Sequence, residues 1–243
     1  MNSMWLGIIA GLVTGLSTIV GALPILHRVK SWNPWKVLNL DFAIGMMLAA
    51  SAFNLIGPAY SSSSNVLGVS LALALGVFSI YGFSHLIHKW TPTKHGKDQR
   101  AWLFVIAMML HNLPEGLASG AALSATSSPT GWATVIAIVF QNFPEGLATA
   151  AAFLSIGFSQ KKAFLGATLT GVVEIFGGTL GAVFTTTTAS HLPLILAFAG
   201  GAMMNVTLGE IITNVKEHHW SYLTRKEFLG GGLAVLLLNF FMF

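Results

Sequence analysis

Residues 131–156, GWATVIAIVFQNFPEGLATAAAFLSI, run for 26 positions with one carboxylate, Glu145, and no Lys or Arg. As a helix this stretch spans about 39 Å at 1.5 Å per residue, enough to cross a hydrocarbon core of roughly 30 Å. The polar group in its middle, QNFPEGLATA at 141–150, has a near copy 30 residues earlier, HNLPEGLASG at 111–120. Each copy sets a proline and a glutamate inside an otherwise lipid-soluble helix.

The rest of the chain repeats the apolar pattern without the motif. Segments long enough to span a bilayer fall at approximately 3–24, 37–60, 65–89, 101–125, 131–156, 162–187, 192–214 and 226–243. Hydrophobic residues make up 54% of the chain and charged residues 8%, and the mean hydropathy is +0.73. A soluble domain carries about 25% charged residues, so a water-facing globular surface is excluded. The expected fold is an all-α integral membrane protein of eight transmembrane helices, a single polytopic domain over 1–243. The first segment has no basic residues before it, as a signal peptide would need, and reads as a retained helix.

The loops alternate in charge. HRVKSWNPWK (27–36), HKWTPTKHGKDQR (88–100), SQKK (159–162) and VKEHHWSYLTRKE (215–227) hold all 12 Lys and Arg. SSSSN (61–65), SATSSPTG (124–131) and TTTTASHLP (185–193) hold none. The positive-inside rule places the first set in the cytoplasm, and eight crossings then put both termini outside. This placement accounts for the pI of about 9.5 with no nucleic-acid partner. The chain has no cysteine, so it has neither disulfides nor thiolate metal ligands.

Five of the eight acidic residues lie in or at the ends of these segments: Asp41, Glu115, Glu145, Glu174 and Glu210. Asp41 and Glu210 are near cytoplasmic ends and can reach water. Glu115, Glu145 and Glu174 are near mid-segment, where an acid costs about 2.5–3.5 kcal/mol on insertion scales. No Lys or Arg lies at comparable depth, so protonation, water or a bound cation must compensate. His111 and Glu115 are four residues apart and share a helix face, as do Gln141 and Glu145. Asn112 and Asn142 flank those faces. Pro114 and Pro144 loosen the carbonyls of Leu110 and Phe140, and Gly116 and Gly146 allow close helix approach. The two motifs cross the bilayer in opposite senses, so their ligands can meet at mid-depth, with Glu174 of GVVEIFGG (171–178) joining from the sixth segment. Imidazole, amide and carboxylate groups together suit Zn²⁺, Fe²⁺, Mn²⁺ or Co²⁺. A cation also removes the repulsion among clustered acids.

At these residues the chain resembles the ZIP (Zrt/Irt-like) family of divalent metal transporters, in particular its short bacterial GufA-type branch. HNLPEG is similar to the family's fourth-helix motif at every fixed position. QNFPEG resembles the fifth-helix motif, with Gln141 where many members have His. GMMLAAS (45–51), Glu174 and AFAGGAM (197–203) resemble the same branch. The resemblance implies a primary metal site of His111, Glu115, Gln141 and Glu145, placed between the fourth, fifth and sixth helices. It implies an adjacent site of Asn112, Asn142 and Glu174, bridged by Glu145, and a lining role for Met47. Asn54 and LIGPAY (55–60) depart from the acidic pattern of relatives, which implies a less negative outer entrance. His85, His88 and His95 near the third loop, Asp41, Glu210, and His218 and His219 are candidates for the cytoplasmic side of the pathway.

The expected function is transport of a divalent transition metal, zinc foremost, with iron, manganese, cobalt or cadmium as alternatives, into the cytoplasm by alternating access. The metal is substrate, no organic cofactor is implied, and the location is the bacterial cytoplasmic membrane. The partners are the metal and the lipid bilayer, and a homodimer stays open. Two other readings stand beside this one. The acids can form a proton relay, or the site can be an intramembrane metal enzyme, although H-E-x-x-H is absent. The chain is read as a transporter and not an enzyme.

Overall fold

A computed structural model describes residues 3–27, 40–90, 96–125, 129–155, 157–187 and 191–242. Every regular element among them is helical. Helix α1 is Ser3–Ala22, closed by a 3₁₀ turn at Leu23–Leu26 where Pro24 stops the ladder. Helix α2 starts at Leu40–Ala50, passes through a π-helical stretch at Ser51–Ile56 and resumes at Gly57–Ser61. Then follow α3 (Val66–Trp90), α4 (Gly96–Ala125), α5 (Pro129–Ser155), α6 (Gln160–Thr187) and α7 (Leu192–His218). A 3₁₀ turn at Trp220–Thr224 leads into α8 (Lys226–Met242). Among the described residues, four stretches are long and apolar enough to cross a membrane: 3–26, 44–61, 160–186 and 192–216.

Two features depart most from the sequence reading. Helix α4 begins at Gly96, so the charged residues at 97–100 are already helical. Helix α2 is not uniform. Pro58 has no N–H to offer the Asn54 carbonyl, and just before it the Gly57 N–H reaches back five residues to Ala52 O. Apolar periodicity cannot register one extra residue in a turn, and Pro58 was its only sign.

Helices α1, α4, α5 and α6 pack together, while α3 pairs with α7 and α2 with α8. Water drives none of this inside a bilayer, so close backbone contact and interhelical hydrogen bonds must hold the helices. Gly11 on α1 meets Gly178 on α6. A Cβ on Gly116 would overlap the Glu174 carbonyl of α6, and one on Gly146 would overlap the Thr18 carbonyl of α1. The two motif glycines therefore bring α4 onto α6 and α5 onto α1. The buried apolar residues are largely alanines, with Leu55, Ile138 and Met203 filling a cluster that joins α2, α3, α4, α5 and α7. Large apolar side chains point outward instead, as Leu67, Leu71, Leu75 and Phe78 do along α3.

Candidate metal centre

Pro114 and Pro144 sit inside continuous helices α4 and α5. Around them the side chains of Asn112, Glu115, Gln141, Asn142, Glu145 and Glu174 are all buried, none more than 5% exposed. Each of two carboxylates is engaged by an amide from α5. Gln141 Nε2 donates to Glu115 Oε1 at 2.5 Å. Asn142 Nδ2 donates to Glu174 Oε1 at 2.6 Å. Adjacent residues of α5 thus face different helices, Gln141 towards α4 and Asn142 towards α6. Asn112 also lies within hydrogen-bonding reach of Glu174. Glu145 is close enough for its charge to act on Glu115.

Helix α1 supplies groups that sequence reasoning missed. Thr18 Oγ1 donates to Glu174 Oε2 at 2.9 Å, and the Thr14 carbonyl accepts from Asn142 Nδ2 at 3.1 Å. Thr14 Oγ1 lies 3.4 Å from Ser119 Oγ of α4. A signal existed: Gly7, Gly11 and Gly15 recur every four residues, and Thr14 and Thr18 follow the same spacing. A small, hydroxyl-bearing stripe of that kind marks the inward face of a membrane helix.

Each amide gives a hydrogen to a carboxylate, Asn142 giving its second to the Thr14 carbonyl, and their oxygens are not matched. Gln141 Oε1 and Asn142 Oδ1 are buried with no hydrogen-bond donor. A buried acceptor without a donor costs about 1–3 kcal/mol, and a cation meets that need as well as a proton donor does. Among the described residues, no three His, Cys, Asp or Glu side chains gather as a metal-holding group. The polar cluster is a mixed one, with amides set against the acids. His111 is helical, one turn before Glu115, and its side chain lies outside the described residues.

The other candidates are dispersed. Met47 is buried on α2, its carbonyl accepting from Ser51 Oγ at 2.7 Å. Asn54 is buried in the π-helical stretch, where its Oδ1 accepts from Asn239 Nδ2 of α8 at 2.6 Å. Asp41 forms an ion pair with Arg225 at 2.9 Å, and the guanidinium lies 5.3 Å from the centre of the Tyr222 ring. Burial, with Asp41 alongside, pushes the Tyr222 hydroxyl up from its ordinary value. Glu210 is exposed on α7, and its backbone carbonyl accepts from Asn214 Nδ2 at 2.9 Å. His85 is exposed on α3, and His219 is exposed where α7 ends at φ 62°. The side chains of His88 and His218, and the whole of His95, lie outside the described residues.

Comparison with known proteins gives the family. The model of the ZIP zinc transporter family matches residues 91–239. The chain is 35% identical over 223 residues to the zinc transporter GufA of Myxococcus xanthus, covering 86% of this chain and 88% of that protein. It is 34% identical over 219 residues to the zinc transporter ZIPB of Bordetella bronchiseptica, covering 84% and 71%. It is 34% identical over 264 residues to the zinc transporter ZupT of Chlorobaculum parvum, covering 97% and 96%. By its paired motifs, by the family match and by identity along most of its length, the chain belongs to the ZIP zinc transporter family, in the GufA-type bacterial branch.

Proposed function

We propose that this protein carries a divalent transition-metal cation across the bacterial cytoplasmic membrane into the cytoplasm, with both termini on the outer side of eight crossings. The names of the relatives make zinc the first cargo to test. His111, Glu115, Gln141 and Glu145 hold the ion midway, and Asn112, Asn142 and Glu174 form the layer beside it. Movement of the helices around that point opens it to one side and then the other.

The observation that carries this reading is the pair of buried amide oxygens, Gln141 Oε1 and Asn142 Oδ1, with no donor beside buried carboxylates. Such a cluster is short of positive charge, and a hydrated divalent ion that sheds water there recovers ligands for it. The ligands are imidazole, carboxylate and amide oxygen, which hold a metal less tightly than four thiolates would and so permit release. Purified protein in liposomes is expected to take up Zn²⁺ down an imposed gradient. A Glu115→Ala, Glu145→Ala double variant is expected to lose at least about 99% of that uptake, the loss of two charged ligands being worth 2.7 kcal/mol or more at 1.36 kcal/mol per tenfold. Uptake at the wild-type rate in that variant would remove the proposal. Proton movement without stoichiometric Zn²⁺ binding would favour a proton relay instead.

A further inference from the structure

Both oxygens of Glu174 are engaged by neighbouring side chains. Each of its oxygens already accepts a short hydrogen bond, Oε1 from Asn142 Nδ2 at 2.6 Å and Oε2 from Thr18 Oγ1 at 2.9 Å. Thr14 and Asn112 are near neighbours, the Thr14 hydroxyl giving its hydrogen to the Gly11 carbonyl at 3.2 Å. An ionised carboxylate has about four lone-pair sites, and the bonds from Asn142 and Thr18 take one on each oxygen. The second hydrogen of Asn142 Nδ2 goes to the Thr14 carbonyl at 3.1 Å. That amide is therefore tied to α6 and to α1 at once, with its Oδ1 left over.

Charge leads to the same division. Asn112, Gln141 and Asn142 are neutral, so the cluster carries no more than three negative charges, from Glu115, Glu145 and Glu174. One divalent ion balances two of them, and the third is dispersed over the donors around Glu174. Two divalent ions would leave one positive charge in place of one negative, and the donors that face Glu174 match a negative remainder. The hydroxyl and the amide give the Glu174 carboxylate a short hydrogen bond on each oxygen, and a metal would compete with them for the same two atoms.

We propose, on the metal-transport reading above, that the chain holds one cation rather than two, and that Glu174 is a fixed counter-anion rather than a ligand, held by Thr18 of α1 as a positioning residue and by Asn142, which the Thr14 carbonyl steadies. The cation sits on the Glu115, Gln141 and Glu145 side, with Asn142 offering its Oδ1. The pairing of metals across Asn112, Asn142 and Glu174 that the sequence suggested gives way to a single ion beside a buried negative charge.

The test uses the full chain in nanodiscs, stripped of metal with a chelator and titrated with Co²⁺ by calorimetry and visible absorption. Wild type and Glu174→Gln are each expected to bind one Co²⁺ per chain with the same band positions. Affinity is expected to fall about tenfold in Glu174→Gln, one pK-like step of 1.36 kcal/mol in the charge field, and by a smaller factor in Thr18→Val. Thr18→Ser, which keeps the hydroxyl, is expected to restore wild-type affinity. Two Co²⁺ per wild-type chain overturn the inference, and so do shifted bands in Glu174→Gln, while metal transport stands. Equal affinity in Thr18→Val and wild type overturns the positioning role. No Co²⁺ bound by wild type overturns the transport reading itself. The wild-type stoichiometry needs no variant to fold, so the central claim is decided even where a substitution unfolds the chain.

Discussion

Gln141 is the residue at which the two copies of the motif differ most, since His111 holds the matching place in the other copy. In the fold it does two things at once: its Nε2 donates to Glu115 and its Oε1 stays without a donor. Imidazole can repeat both roles, donating from one ring nitrogen and ligating through the other. It is also a better zinc ligand than an amide oxygen, whereas Mn²⁺ prefers oxygen. Gln141→His is therefore expected to raise affinity for Zn²⁺ relative to Mn²⁺ by about tenfold, a difference of 1.4 kcal/mol. Competition between the two metals in proteoliposome uptake measures it, and an unchanged ratio would mean that Gln141 does not touch the ion. The Asp41–Arg225 pair belongs to a different class. Its side chains are 19% and 38% exposed, and ion pairs with such access to solvent contribute about 0–1 kcal/mol. Arg225→Ala is expected to lower the unfolding free energy by less than about 1 kcal/mol, as read by thermal unfolding in detergent. A larger loss would show that the stacking on Tyr222 matters more than the charge.

At the scale of the helix, glycine decides which elements touch. Gly116 lies on α4 where any side chain would meet the Glu174 carbonyl, and Gly209 lies on α7 with open space around it. Gly116→Ala pushes α4 away from α6, and overpacking of this kind costs about 1–3 kcal/mol. Gly209→Ala has no such neighbour and gains helix propensity, about 0.5–1 kcal/mol in its favour. Thermal unfolding of the two variants in one detergent is expected to move in opposite directions. Equal shifts would mean that backbone flexibility and not close approach governs these sites. The sequence could name Gly116 as a close-packing residue from its place in the motif, and it could not name the partner. The same limit applies to the π-helical stretch of α2. Its residues read as an unbroken apolar helix, and only Pro58 hinted at a change of ladder that places Asn54 against Asn239.

For the whole molecule, the proposed orientation rests on where charge can and cannot cross. All 12 Lys and Arg cluster in alternate loops, and moving them through the bilayer would be opposed both by desolvation and by the translocation bias. The absence of cysteine makes this directly measurable. Ser63→Cys in SSSSN is expected to react with a membrane-impermeant thiol reagent on intact cells, and Ser159→Cys beside Lys161 and Lys162 only after the membrane is opened. The reverse pattern would invert the proposed topology and with it the direction of transport.

The sequence by itself determined the membrane class, the approximate segments and the six buried polar residues Asn112, Glu115, Gln141, Asn142, Glu145 and Glu174. Each of those follows from local composition or from helical spacing, which depend on neighbours a turn or two away. Only the tertiary structure decided how those residues are partnered. That Gln141 serves Glu115 while Asn142 serves Glu174 depends on which helices pack against α5. That Thr14 and Thr18 join the site depends on α1, more than 90 residues away in the chain, reaching it through glycine contacts. Apolar patterns say that a helix is buried in lipid or protein, and they are silent on its neighbour. In a bilayer that choice is made by backbone approach and by the matching of buried donors to acceptors, and both exist only once the helices have met.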